Sequence, residues 1–97
     1  VTLLSGQRAE ADVLWQAELG ALAREYPRFR FEPTLTLGSA AWPGRRGRVQ
    51  EHLAELVAGL PASSAVYVCG KTPMVEACRE RLRALGMPAE HVTSESY

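Results

Sequence analysis

The chain has 97 residues, of which 46% are hydrophobic and 23% are charged. This size and composition indicate one small globular domain over residues 1–97 and exclude a disordered chain or one with a membrane span. The 11 basic residues balance the 11 acidic ones, so no overall field attracts nucleic acid or a membrane surface. We therefore expect neither as a partner.

The first strand and helix are predicted from residues 1–26. Residues 1–4 favour a strand, and Ser5-Gly6 after them favours a turn. From Asp12, a plausible N-cap, the apolar period becomes helical, and Pro27 ends the helix. Four residues, spaced four, three and four apart, form one face of this helix: Trp15, Leu19, Leu22 and Tyr26.

Residues 29–37 alternate as a strand that Pro33 interrupts. Because proline cannot donate to a ladder, we expect this strand to lie at a sheet edge or to start after Pro33. Residues 38–47 have the composition of a loop, and Trp15 and Trp42 are expected to be core or loop-anchoring residues. The arginines of this loop, Arg45 and Arg46, together with Arg48, form either a solvated surface or an anion contact.

The second half of the chain repeats the alternation. Residues 49–60 predict a helix, residues 65–69 a strand buried on both faces, and residues 91–97 a last strand. Between these two strands, Thr72 is expected to cap a third helix with Pro73 at its first position. Its buried stripe is Val75, Cys78, Leu82 and Leu85, and Gly86-Met87-Pro88 ends it. The order β-α-β-α-β-α-β predicts an α/β fold, a three-layer αβα arrangement around a parallel, Rossmann-like sheet.

Residues 67–74 are the most informative stretch because a strand runs directly into a helix N-terminus there. Free N–H groups and the helix dipole favour an anionic ligand at such a junction. A phosphate-binding P-loop is excluded, because it needs a glycine five residues before Gly70 and that position is Ala65, inside the strand. After the first strand, Arg8 is either an exposed turn residue or a guanidinium that holds a ribose or its phosphate.

Other chemistry is limited. Cys69 ends a strand and Cys78 lies in the next helix, so we expect two reduced thiols, which favours the cytoplasm. His52 and His91 have no partners at metal-ligand spacing, so no metal site is expected. At the C-terminus, Glu95 and Tyr97 are predicted on one side of the last strand, unless this end of the strand is frayed.

The pattern formed by residues 66–70 and 73–75 resembles the cysteine-glycine motif of the ferredoxin–NADP reductase superfamily, in its NAD(P)-binding domain. Three further stretches resemble that domain in its second strand and turn, its tryptophan-glycine loop and its acidic-x-aromatic ending. They are residues 3–8, 42–49 and 95–97. The helix beginning at Asp12 is similar to the next helix of the domain.

The resemblance implies hydride transfer between NAD(P)H and FAD, with electrons then passed to an iron–sulfur protein, a haem or a similar acceptor. Cys69 and Gly70 would border the nicotinamide, Tyr97 would cover the flavin, and Glu95 would lie near the reacting centre. It also implies a dinucleotide-binding role for Gly6, Lys71, Thr72, Pro73 and Met74, and places Arg8 near the adenosine ribose or 2′-phosphate. The catalytic candidates are therefore Cys69, Glu95 and Tyr97.

The family's first strand and glycine-rich loop have no counterpart here, because Val1 already corresponds to its second strand. We expect this chain to be a fragment of a longer flavoprotein, inactive by itself, with an FAD-binding domain upstream. Upstream residues or another segment would fill the slot of the missing strand. Because the second basic position of NADP-using members is Gly38-Ser39 here, NAD and NADP remain alternatives. A non-catalytic nucleotide-binding or docking module of the same fold also remains open.

Overall fold

The computed structural model describes all residues, 1–97, and forms two compact units, Val1–Val49 and Gln50–Tyr97. The strands are β1 (Thr2–Gln7), β2 (Arg30–Leu35), β3 (Arg45–Arg46), β4 (Val66–Gly70) and β5 (Val92–Ser96). The helices are α1 (Gln16–Glu25), α2 (Leu53–Ala58) and α3 (Thr72–Ala84). All strand pairs are parallel, which confirms the predicted α/β alternation. None of the helices is both long enough and apolar enough to cross a bilayer.

The first unit contains a sheet in the order β1-β2-β3. The predicted turn at Ser5-Gly6 is wrong, because these residues pair with Pro33 and Thr34 and the strand continues to Gln7. Gly6 serves close packing instead: a Cβ there would lie 2.7 Å from Val49 Cγ1. Position 6 therefore favours glycine because the Val49 side chain packs against it, and not because the chain turns there.

Pro33 lies inside β2, the central strand, so the expectation of an edge strand or a later start is wrong. The N–H groups of Arg30 and Thr36 donate toward β1, to Val1 O at 2.9 Å and Gln7 O at 3.1 Å. Along a strand, the backbone N–H groups of alternate residues point to opposite neighbouring strands, so the nitrogen of Pro33 points toward β3. There β3 pairs only with Thr34 and Leu35, so the missing N–H of Pro33 leaves no ladder bond unmade.

The core of the first unit lies where β2 ends. Thr34 and Leu35 are 0% and 1% exposed, and Trp42 is buried beside the loop. The Thr34 hydroxyl donates to Gly47 O at 2.8 Å, and Trp42 Nε1 donates to Arg45 O at 2.8 Å. Trp42 therefore anchors the loop, as predicted.

Helix α1 begins at Gln16, so the prediction of Asp12 as its N-cap is wrong. Asp12 lies in a 3₁₀ turn, and Trp15 is the N-cap, with φ 50° and 70% exposure. Leu22 and Tyr26 are exposed as well, so the predicted helix face is not a buried one. Of the predicted face only Leu19 is half-buried, and it forms the less exposed face of α1 together with Gly20 and Ala23.

The second unit pairs β4 with β5, from Val66↔Val92 to Gly70↔Ser96. The prediction that β4 is buried on both faces is wrong, since Val66 and Val68 are half-buried whereas Tyr67 is 81% exposed. Helix α3 contacts this sheet, and in a strand alternate residues face opposite sides. One face of β4 is therefore partly covered and the other is open.

Helix α3 buries Val75, Cys78 and Leu82 as predicted, whereas Leu85, its C-cap residue, is half-buried. Its end has the hydrogen bonds of a Schellman motif: Met87 N–H donates to Leu82 O, and Gly86 N–H donates to Arg83 O, both at 3.0 Å. Gly86 has φ 88°, a conformation that glycine adopts at little cost. Before α3, the chain forms a 3₁₀ turn (Val49–His52) and α2, which has Gly59 as its C-cap.

Candidate functional site

The open face of the β4–β5 sheet carries the three predicted catalytic side chains. Cys69 pairs with Glu95, and Tyr97 N–H donates to Gly70 O at 3.1 Å. Since paired residues share a face and side chains alternate along a strand, Cys69, Glu95 and Tyr97 lie on the same side of the sheet. All three are exposed. The structure therefore brings a thiol, a carboxylate and a phenol together at the carboxyl end of two parallel strands.

Two further residues lie on this open face that we did not select from the sequence. Tyr67 precedes Cys69 by two positions and is 81% exposed, and Thr93 pairs with Tyr67 from β5. Strand alternation was the signal that could have identified both. They extend the open face away from the carboxyl end of the sheet.

The junction between β4 and α3 is closely packed around Gly70. A Cβ on this buried glycine would lie 2.3 Å from Met74 Cε. The Cys78 thiol donates to Met74 Sδ at 3.4 Å. Met74 is thus half-buried against the strand end, and the lack of a side chain at Gly70 leaves the space that Met74 occupies.

The N-terminus of α3 carries no side-chain cap. Lys71, rather than the predicted Thr72, is the N-cap residue, and its side chain makes no capping hydrogen bond. Pro73 lies in the first two helical positions and the first turn holds no acidic residue. The first-turn N–H groups therefore have no side-chain acceptor, which leaves them suited to an anionic ligand. Lys71, Thr72 and Pro73 are all exposed.

The two cysteines are free, as predicted, and they differ in environment. Cys69 is exposed, whereas Cys78 is buried in the stripe of α3. Burial raises the pKa of the Cys78 thiol, because a low-dielectric environment disfavours the thiolate. Cys69 is therefore the accessible thiol. No group of three or more His, Cys, Asp and Glu side chains is arranged to hold a metal ion.

The remaining predicted residues, Gly6 and Arg8, belong to the first unit. Gly6 lies within β1 and does not form the predicted turn. Arg8 follows β1 directly and is exposed, and its carbonyl accepts the Leu37 N–H at 2.7 Å. Its guanidinium has no hydrogen bond or ion pair within the chain. This cation is accordingly available to an anion.

The clustered arginines Arg45 and Arg46 are held by the protein itself, so they do not form a merely solvated surface. Arg45 Nε donates to Glu32 Oε2 at 3.0 Å, and the Arg46 guanidinium donates to carbonyls in the loop that follows β2. Partial burial by itself raises the pKa of Glu32, but hydrogen bonds from Arg45 and Arg30 outweigh it and hold that pKa below its usual value. Arg45 and Arg46 thus stabilise the first unit through contacts within it.

Residues 1–80 match the family described as "Oxidoreductase NAD-binding domain". The chain is 44% identical over 101 residues to ferredoxin–NADP reductase B of Sorangium cellulosum, covering 98% of this chain and 41% of that protein. It is 39% identical to the NADPH-dependent nitrate reductase of Emericella nidulans, covering 93% of this chain and 11% of that protein. The chain therefore spans less than half the length of these curated relatives.

The fold is similar to that of solved reductases. The structure of the CS-b5R domains of human Ncb5or, in its NAD⁺ form, superposes with a TM-score of 0.89 at 25% identity. That match covers 97% of this chain and 27% of the solved chain. Together with the parallel strands and flanking helices, it confirms an incomplete Rossmann-like αβα domain, as the residue pattern and the resemblance predicted. The chain belongs to the oxidoreductase NAD-binding domain family, as the NAD(P)-binding domain of the ferredoxin–NADP reductase superfamily.

Proposed function

We propose that this domain binds NAD(P)H within a longer flavoprotein that transfers a hydride between NAD(P)H and FAD and passes the electrons to a redox partner. The observation that carries the proposal is the open face on which Cys69 pairs with Glu95 beside Tyr97. A thiol, a carboxylate and an aromatic ring meet there at the carboxyl end of parallel strands, where folds of this class bind their ligands.

The residues present fit a dinucleotide. The uncapped, acid-free first turn of α3 can accept an anionic group, and Lys71 adds a positive charge beside it. Arg8 offers an unpartnered guanidinium at the end of β1, suited to a ribose hydroxyl or a phosphate. Both NAD and NADP carry such groups, so we propose NAD(P) as the cofactor of this domain and FAD as that of the longer protein.

When bound, the nicotinamide and the flavin supply the hydride chemistry, and the protein supplies orientation. Cys69 and Gly70 are proposed to border the nicotinamide, with Met74 keeping the Gly70 backbone in place from below. Glu95 is proposed to lie close to the reacting centre, and the exposed ring of Tyr97 to cover the flavin and exclude water. Lys71, Thr72 and Pro73 are proposed to shape the dinucleotide site.

Residues outside this chain are part of the proposal. β1 pairs only with β2, and β4 pairs only with β5, so each strand has one unpaired edge. Unpaired edges expose N–H and C=O groups, which supports further strand pairing from an upstream segment. The FAD-binding domain is proposed to lie upstream too, and the acceptor to be an iron–sulfur or haem protein. We also propose a cytoplasmic location, which the two free thiols favour.

The test uses the protein expressed from its complete open reading frame. It should purify yellow, and anaerobic addition of NADH or NADPH should bleach its flavin absorbance. A colourless protein that binds neither nucleotide would overturn the reductase proposal. A colourless protein that binds a nucleotide but reduces no added FAD would instead support the non-catalytic nucleotide-binding module.

A further inference from the structure

A carboxylate that follows β1 holds the loop that follows β2. Glu10 Oε1 accepts the Ser39 N–H at 3.0 Å, and the Ser39 hydroxyl donates to the other carboxylate oxygen, Oε2. The two residues are 29 positions apart in the chain. The hydrogen bonds from Ser39 lower the pKa of Glu10, which agrees with an ionised carboxylate that accepts both bonds. This contact is therefore a tertiary one that joins two loop segments.

The same loop is held from its other side by Arg46. Its guanidinium donates to Gly38 O at 3.1 Å, to Ser39 O at 2.6 Å and to Trp42 O at 2.9 Å. Ser39 thus has its N–H and hydroxyl bound to Glu10 and its carbonyl bound to Arg46. We name this arrangement of Glu10, Ser39 and Arg46 the loop clasp.

The loop clasp lies next to backbone hydrogen bonds that join the segment after β1, including Arg8, to the segment after β2. Past the end of the β1–β2 ladder, Thr36 N–H donates to Gln7 O at 3.1 Å and Leu37 N–H donates to Arg8 O at 2.7 Å. The Glu10–Ser39 contact comes next in the same direction. The backbone of Arg8 is consequently held on both sides, while its guanidinium is exposed.

We propose that Glu10 is a positioning residue for the nucleotide. It fixes the Arg8 segment and the loop after β2 before the ligand arrives, so that the ordering cost falls on folding rather than on binding. Because both Ser39 donors are bound to Glu10 and Arg46 is bound to carbonyls, Arg8 is the cation of this region that meets the nucleotide. The inference rests on the proposed function and adds a residue that touches no ligand.

The test compares Glu10→Ala with Glu10→Gln in the complete protein. Glu10→Ala removes an acceptor of two hydrogen bonds, so we expect the Kd for NADH or NADPH to rise about tenfold. The limiting rate of flavin reduction at saturating nucleotide, measured by stopped flow, should stay within about twofold, since the reacting end is unchanged. Glu10→Gln keeps a carbonyl oxygen as acceptor and should restore most of the affinity.

Two further variants sharpen the result. Ser39→Ala keeps the backbone N–H bond and should weaken binding less than Glu10→Ala does. Glu80→Ala removes an exposed carboxylate that also accepts two hydrogen bonds, from Arg83, and should leave the Kd unchanged. Hydrogen exchange at the Thr36 and Leu37 amides, which donate to Gln7 O and Arg8 O, should quicken in Glu10→Ala and stay slow in Glu80→Ala.

An unchanged Kd in Glu10→Ala would overturn the positioning role while leaving the proposed function intact. An equal fall in affinity and limiting rate would also contradict it, because a general structural defect affects both. A wild-type protein that binds neither nucleotide would overturn the proposed function as well, and is thereby distinguished from failure of this inference alone.

Discussion

The two units hold the carboxyl ends of their parallel sheets by different means. In the first unit, α1 has no buried residue, and polar contacts fix the strand ends: Glu10 to Ser39, Arg46 to loop carbonyls and Arg45 to Glu32. In the second unit, the apolar stripe of α3 packs against the sheet, and Met74 of the same helix packs against Gly70 at the end of β4. The first unit thus adds directed hydrogen bonds around the buried Leu35 and Trp42, whereas the second relies mainly on the buried stripe of α3.

The difference matches the groups that each unit presents. Under the proposed function, Arg8 offers a charge to a polar ligand, and a polar framework orients a charge without burying it. Cys69 and Tyr97 are proposed to act from a fixed sheet face, and an apolar core is close-packed and resists displacement. We therefore expect the second unit to be sensitive to lost volume and the first to lost charge.

The largest expected effect is a loss of stability from Leu82→Ala. Leu82 is 0% exposed, and truncating a fully buried leucine costs about 2–5 kcal/mol. Leu22→Ala is the matched control in α1, where the leucine is 41% exposed, and should cost about 1 kcal/mol or less. Hydrogen exchange of the helix amides in the complete protein measures both, and equal losses would contradict the comparison between the units.

The next effect separates the two cysteines. In the complete protein, Cys69→Ala should slow flavin reduction by about tenfold or more, because displacing or removing a group beside the reacting atoms is costly. The Kd for the nucleotide should change little. Cys78→Ala is the control: it opens a cavity in α3 and lowers stability, but should preserve the limiting rate more fully. Unchanged flavin reduction in Cys69→Ala, measured by stopped flow, would argue against its place at the nicotinamide.

The smallest effect is a pH dependence from Glu32 in the first unit. Its pKa in the folded protein lies below the ordinary 4.5, so the folded state favours the ionised form. The stability it contributes, about 0.5–1 kcal/mol, is therefore present above pH 4.5 and is lost as the pH falls through the lowered value. Glu32→Gln should remove this part of the pH dependence.

The control for Glu32 is the exposed pair between Glu80 and Arg83, whose side chains are 65% and 73% exposed. Glu80→Gln should leave the pH dependence of stability nearly unchanged, because solvent screens an exposed pair. Acid titration of unfolding, followed by circular dichroism, compares the two variants. An equal effect of both substitutions would show that the partly buried position of Glu32 is immaterial.

Local patterns were enough to predict much of the second unit. The 3.6-residue period of α3 identified Val75, Cys78 and Leu82, and Gly86 marked its end, because a single helix face and a left-handed C-terminal residue are local requirements. Alternation also placed Glu95 and Tyr97 on one side of the last strand. The pairing of Cys69 with Glu95 required the register of two strands, which residue types alone do not specify.

The first unit was predicted less well. Ser5-Gly6 has the composition of a turn, yet the strand continues because both residues pair with β2. Trp15 has helical spacing but lies just outside α1, where it is exposed. In both cases the local structure depends on tertiary contacts, present at Gly6 and absent at Trp15, and not on residue propensity alone.

The sequence by itself determined the alternation of strands and helices, the strand-to-helix junction at Cys69-Gly70 and the buried stripe that supports it. Each follows from residues close together in the chain. Only the tertiary structure decided that Glu10 binds Ser39 and that Cys69 pairs with Glu95. These pairs are distant in the chain, and hydrogen-bond partners at such separations are selected by strand register and loop path rather than by local propensity.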